Sequence, residues 1–235
     1  MAFVLSACSY GEDLFKSYGE DVTVVRYVGD FDKIIAGEKF DVVLVQDSSM
    51  AGKIEITAGK NVIEGYTTKV ENGQLNIRNE NHFNWVRKLK VRQKVRVYFK
   101  NINELQINGS AIFSNVDTIF HNSQLRIYHA GIEDAKLTVV GDYIFADCSN
   151  SGGVTLDGKC FLLSVSVDDI SFINSMELDA EKVYLSTFSQ DDNYIHGRDV
   201  VDIKLFGHGS VYYKKGNAAV VSIEDIGSGA VFEKQ

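Results

Sequence analysis

Three aspartates, Asp147, Asp169 and Asp191, recur at one fixed interval. If that interval is one structural repeat, their carboxylates form a column with neighbours about 4.8 Å apart. Like charges at that spacing repel, so the column calls for raised pKa values or a bound cation. Calcium, which takes oxygen ligands, is the cation that fits, and it is the one cofactor these residues suggest. Paired carboxylates near that spacing also match the geometry of a retaining glycosidase. The plainer alternative is that Asp favours turns and that the three side chains splay into water. A second constellation is cationic. From Arg87 to Lys100 there are seven basic residues and no acidic one. On a strand, Lys88, Lys90, Arg92, Lys94, Arg96 and Lys100 face one side, and Leu89, Val91, Val95, Val97 and Phe99 face the other. With Trp85 beside it, that stripe is a candidate face for an anionic ligand such as an acidic glycan or a lipid headgroup. The alternative is a solvated face balanced by neighbouring acidic strands.

Other chemistry is thinly represented. The five His are scattered, and the sequence holds no HExxH or CxxC spacing and no glycine loop of the phosphate-cradling kind. No motif pairs a Ser or Cys nucleophile with a positioned base. This favours a non-catalytic binding, adhesion or scaffolding module, with a polysaccharide lyase or glycosidase built on the Asp column as the enzymatic alternative. A net charge of −8 disfavours nucleic acid as a partner. A glycan, or a protein of the envelope or of a host, suits the chain better. The oligomeric state stays open.

The cysteines and the N-terminus speak to address. Leu5-Ser6-Ala7-Cys8 resembles the lipobox of a bacterial lipoprotein signal, which is cut before a Cys that is then acylated. Cys8 is the candidate lipid-attachment residue, residues 1–8 the signal remnant, and 9–21 a polar tether. No apolar run approaches the length of a membrane span, so membrane contact would come through acyl chains alone. That places the chain in the bacterial cell envelope as an outer-membrane lipoprotein, facing either the periplasm or the exterior. Cys148 and Cys160 remain; each reads as a small buried apolar residue, with a disulfide in an oxidising compartment as the alternative.

Elements that could position these residues follow from composition and period. There are 27 Val, 19 Ile, 14 Phe and 11 Tyr, types that fit pleated, half-buried surfaces. Short runs alternate apolar and polar, as in Leu125-Arg126-Ile127 and Val154-Thr155-Leu156, and clusters of Gly, Asn, Asp and Ser punctuate them. From about residue 100 onward, Val139, Phe161, Val183 and Leu205 stand 22 apart, as do Gly109, Gly131 and Gly153. Short strands and turns repeating at that interval suit the coil of a parallel β-helix better than a β-sandwich, which has no reason to keep a fixed register. Phe161, Val183 and Leu205 are then expected to point inward in one column, with roughly six coils over residues 101–235.

Residues 22–100 read as a β-rich capping region, the two parts forming one continuous domain. Phe40 to Val45 and Lys53 to Ile56 alternate as strands. Val62, Ile63, Tyr66 and Val70 share a helical face, which predicts a short helix within 59–70. Asn72-Gly73 predicts a tight hairpin. The open end of a solenoid has to be covered, and this region is placed to do it.

Arg26-Tyr27-Val28-Gly29-Asp30-Phe31-Asp32-Lys33-Ile34, the strand Phe40-Asp41-Val42-Val43-Leu44, the helix-and-hairpin segment from Asn61-Val62-Ile63 through Val70-Glu71-Asn72-Gly73-Gln74-Leu75-Asn76-Ile77, and the turns Asn108-Gly109-Ser110, Gly207-His208-Gly209-Ser210 and Gly227-Ser228-Gly229 occur in that order. Together they resemble the auto-transporter adhesin, head GIN domain family of Bacteroidota envelope proteins, over residues 26–235. The resemblance implies an all-β, right-handed parallel β-helix in a secreted or lipid-anchored protein. It assigns no residue to an activity.

Overall fold

A computed structural model describes residues 18–81 and 92–235. Cys8, Lys88, Lys90 and Trp85 lie outside the described residues. The described chain is a succession of strands: β1 (Asp21–Tyr27), β2 (Lys33–Ala36), β3 (Phe40–Gln46), β4 (Lys53–Gly59), β5 (Tyr66–Glu71) and β6 (Gln74–Asn79). After the gap come β7 (Gln93–Phe99), β8 (Glu104–Gly109), β9 (Ile112–Asn115), β10 (Ile119–Gly131), β11 (Ala135–Cys148) and β12 (Val154–Val167). The last six are β13 (Ile173–Asn174), β14 (Leu178–Thr187), β15 (Asn193–Leu205), β16 (Val211–Lys215), β17 (Val220–Asp225) and β18 (Val231–Glu233).

From β8 onward every pairing is parallel, and the coils stack into a β-solenoid of about six turns. Its strands form three stacks. The first runs through β8, the second halves of β10, β11 and β12, then β14, the second half of β15, and β17. The second runs through β9, the starts of β11 and β12, then β13, the start of β15, β16 and β18. The third holds Ile119–His121, Val139–Gly141, Gly158–Cys160 and Leu178–Ala180. Alternate residues of each strand turn inward and stack in columns. One such column is Leu105, Ile127, Ala146, Val165, Leu185 and Ile203, all buried.

The coil length departs from the single interval that the sequence suggested. Arg126 lies opposite Glu104, a full 22 on, but Val154 lies opposite Ala135, 19 on, and Val201 opposite Val183, 18 on. Corner turns change length from coil to coil, and the ladder absorbs the change in irregular steps at His121/Gln124 and Ala180/Lys182. The expected column of Phe161, Val183 and Leu205 is therefore wrong. Val183 stacks between Leu163 and Val201, Leu205 on Thr187, and Phe161 points out at a corner with 47% of its surface exposed. The alternation also breaks at the corner itself: Cys160 and Leu163 are both buried although three residues apart, which leaves Phe161 between them facing out.

The N-terminal third contributes coils as well as a cover. β2 pairs in parallel with β6 on one side and β8 on the other, and β3 lies likewise between β7 and β9. The earlier pair of strands is thus inserted between later ones. Antiparallel strands close this end: β4 against β7, β1 against β4, and β5 against β6. The Asn72-Gly73 hairpin forms, with both residues at positive φ. No helix spans 59–70; a single 3-10 turn at Ile63–Gly65 leads straight into β5. Tyr66 packs edge-on against Phe40, 5.7 Å between centroids, so its ring is spent on the core rather than on a helical face.

Candidate functional site

The aspartates that could have formed a column are held apart by the coil lengths just described. Asp147 lies level with Ser166, and Ser166 with Ser186. Asp169 sits in a turn at φ 59°, where its carboxylate accepts a hydrogen bond from the Asn150 amide at 3.0 Å. Asp191 accepts from the Asp192 amide at 2.8 Å in another turn. Burial, then the neighbouring Asp168 charge, raises the Asp147 pKa. Among the described residues no group of three or more His, Cys, Asp or Glu is placed to hold a metal ion. The calcium site and the paired-carboxylate geometry both required the column, and the register removes it.

The basic stripe is partly neutralised by its neighbours. β7 lies between β3 and β4, which brings Glu55 opposite Arg96 and Asp41 opposite Lys94. Arg96 reaches Glu55 at 3.8 Å. Arg92 is a clamp rather than a free cation: its guanidinium bonds Asp41 at 2.6 Å, Glu133 at 3.2 Å and the carbonyls of Phe40 and Ser110. It thereby ties the start of β7 to the start of β3 and to a later coil. Lys94 and Lys100 are exposed and make no ion pair among the described residues. Lys100 borders a groove of about 510 Å³ whose other walls include Asp30, Asp32, Phe99 and Asn103.

Cys148 and Cys160 are both free and buried, in different stacks. Burial pushes the Cys160 thiol up to about 12 and raises that of Cys148 as well, so neither offers a thiolate. Near the C-terminus, Tyr212 stacks between Tyr194 and Phe232 at 5.1 and 5.2 Å. These rings spend their faces on one another, which suits coil cohesion better than sugar stacking.

Sequence reasoning missed a corner between the third and first stacks. His121, Gly141 and Cys160 lie side by side there on consecutive coils. They border a cavity of about 470 Å³ shared with Phe120, Val140, Asp142, Lys159, Phe161 and Glu181. Gly141 stands 20 on from His121, a signal that becomes readable once the local coil length is known. A Cβ at Gly141 would run into the imidazole, so glycine is what lets the ring lie there.

The profile of the family described as putative auto-transporter adhesin, head GIN domain, matches residues 30–218. The chain belongs to this family. Solved structures share the fold. A putative adhesin from Bacteroides fragilis superposes with a TM-score of 0.83 at 17% identity, covering 92% of this chain and 97% of that one. Another from Parabacteroides merdae gives 0.64 at 18% identity, covering 93% and 98%. A putative lipid binding protein from Parabacteroides distasonis gives 0.65 at 18% identity, covering 92% and 98%. No curated protein matches the chain. In this head GIN chain the matched segment takes in the basic strand β7 and the whole His121 corner, and it stops just short of β17.

Proposed function

We propose that the chain is a non-catalytic binding module of the bacterial envelope, presenting its solenoid surface to a glycan or a protein partner. The observation that carries this reading is a set of large aromatic side chains standing exposed on the outer surface of several coils. Phe120 is 59% exposed and Phe188 53%, with Phe161 and Tyr184 between them in sequence. Exposed aromatics on rigid strands favour recognition, because little side-chain entropy is lost on binding. The family's description as adhesins supports the same reading. The glycosidase or lyase alternative depended on the Asp147, Asp169 and Asp191 column, and Asp147 lies level with Ser166 rather than with Asp169.

The test is retention. The full chain, immobilised, is challenged with neutral and acidic polysaccharides and with envelope and extracellular-matrix proteins. Capture of at least one of these classes is expected, and capture of none overturns the reading. Within it, Lys94, Arg96 and Lys100 are the exposed residues of the basic stripe among the described residues, and charge reversal at Lys94 should weaken retention of acidic chains while sparing neutral ones. Anchoring through Cys8 belongs to the same proposal. Metabolic labelling with a fatty-acid analogue should mark the chain, and labelling that persists in Cys8→Ala would exclude Cys8 as the attachment residue.

A further inference from the structure

We propose that the outer face of the first stack around Tyr184 and Phe188 is a docking site for an extended, arginine-bearing segment of a partner protein. This rests on the binding-module reading and gives it a location and a kind of partner. The register carries the argument. Tyr184 and Phe188 both point outward at β14 and are exposed. Tyr184 lies opposite Asp202 on the following coil. Phe188 comes after Thr187, and Asp168 after Val167, which lies opposite Thr187, so Asp168 is the neighbour of Phe188 on the preceding coil. Each exposed ring therefore has a carboxylate one coil away, about 4.8 Å along the stack.

A ring face beside a carboxylate is the environment a guanidinium fits. The ring quadrupole attracts the cation, and the carboxylate accepts its N–H fork. Arginine meets both better than lysine does, because its charged group is planar and weakly hydrated. Phe188 stacks on Phe206 at 4.7 Å and 19°, which holds the ring and turns its other face toward the coil of Asp168. Neither the Asp168 nor the Asp202 carboxylate has a hydrogen bond or ion pair among the described residues. The nearby cations are distant or taken. Arg126 is three coils from Tyr184, Lys204 lies 4.0 Å from Glu224, and Lys182 sits over the Phe161 ring at 4.9 Å.

Charge and spacing define the partner. Residues 101–235 hold nine basic and nineteen acidic side chains, so the solenoid draws a cationic segment in and repels an anionic one. Asp147, level with Ser166 on the same face, adds a further carboxylate. Its pKa is raised by burial and then by the Asp168 charge, as befits carboxylates gathered with no cation between them. Tyr184 and Phe188 stand four residues apart on one strand, about 13 Å. An extended segment laid alongside presents its own side chains at i and i+4 on one face at that same interval. Ser164, Ser166 and Ser186 fill the surface around the rings with short hydroxyls, which keeps it flat enough for a strand to lie on.

The experiment titrates the full chain into labelled synthetic peptides and follows fluorescence anisotropy. The probe is a threonine-rich peptide with two arginines four residues apart. Its comparators carry lysines at those places, glutamates at those places, or the two arginines side by side. The spaced arginine peptide should bind saturably, the lysine and side-by-side forms about fivefold or more weaker, and the glutamate form not at all. Tyr184→Ala, Phe188→Ala, Asp168→Asn and Asp202→Asn should each weaken the spaced arginine peptide about fivefold or more. Glu177→Gln, which removes the same charge from an exposed site at another corner, should leave its affinity unchanged. All five substitutions are on the outside, so thermal melts should stay close to the wild type. No binding of the spaced arginine peptide overturns the site, as does binding that all four face variants retain in full. A lysine peptide that binds as well as the arginine peptide overturns the pairing of ring and carboxylate around a guanidinium. A chain that ignores the peptides but retains a neutral polysaccharide through Tyr184 and Phe188 gives the face to a glycan, which overturns the site and leaves the module reading standing. Loss of all retention removes both.

Discussion

At the scale of single residues, the inner columns tolerate polar groups only on stated terms. His129 occupies an inward position between Ile107 and Cys148, and its Nε2 bonds the Glu133 carbonyl at 2.8 Å. Burial lowers its pKa, as it lowers that of His121. The unfolded chain therefore takes up these protons first, beginning near pH 6.5, and stability falls as the pH drops below that value. Thermal melts should show a falling midpoint from about pH 7 to pH 5, and a shallower fall in His129→Leu, which has no proton to gain. The cysteines make a second prediction at this scale. With both thiols buried and raised in pKa, a Cys8→Ala chain should show no rapid reaction with an aromatic disulfide reagent when folded, and two thiols in urea. A chain with no reactive thiol in urea would mean that Cys148 and Cys160 had paired.

Between residue and molecule, the strand register decides which substitutions matter. Val183→Ala empties a buried position between Leu163 and Val201 and should cost about 2 kcal/mol in urea unfolding. Phe161→Ala, on the outside, should stay within about 0.5 kcal/mol of wild type. A single fixed register through Phe161 and Val183 predicts losses of the same order at both sites, so the pair measures the correction directly. Corner turns give another contrast. A Cβ on Gly209 would collide with the Asp191 carbonyl of the coil beneath, whereas one on Gly29 would meet nothing within 4 Å. Gly209→Ala should lose about 2 kcal/mol or more, and Gly29→Ala close to nothing. Much of this level was legible beforehand. Alternation marked the strands, Asn72-Gly73 marked the hairpin, and the matched turns at Gly207 and Gly227 carried the true local offset of 20. The Asp147, Asp169 and Asp191 column was not sound, because turn residues such as Asp recur wherever coils bend and their spacing carries every change in corner length. Arg92 was legible as a cation but not as a clamp, since its partners Asp41 and Glu133 are remote in sequence.

For the molecule as a whole, a parallel solenoid with one end covered by antiparallel strands explains how a chain of short strands holds a continuous core. The threading of β2 and β3 between later strands had no signal in the sequence, because parallel strands of similar composition do not declare their neighbours. The His121 corner was hidden for a related reason: a histidine in an alternating run looks the same whether it faces water or the interior. What the architecture offers is a rigid outer surface, and the central claim is that this surface binds without transforming what it holds. The decisive measurement takes each polysaccharide the full chain retains and incubates it with the protein, with and without calcium, while polymer length and new reducing or unsaturated ends are followed. The polymer is expected to be held and recovered at full length. Ends that accumulate with time and protein concentration, and vanish in Asp169→Asn, would contradict it.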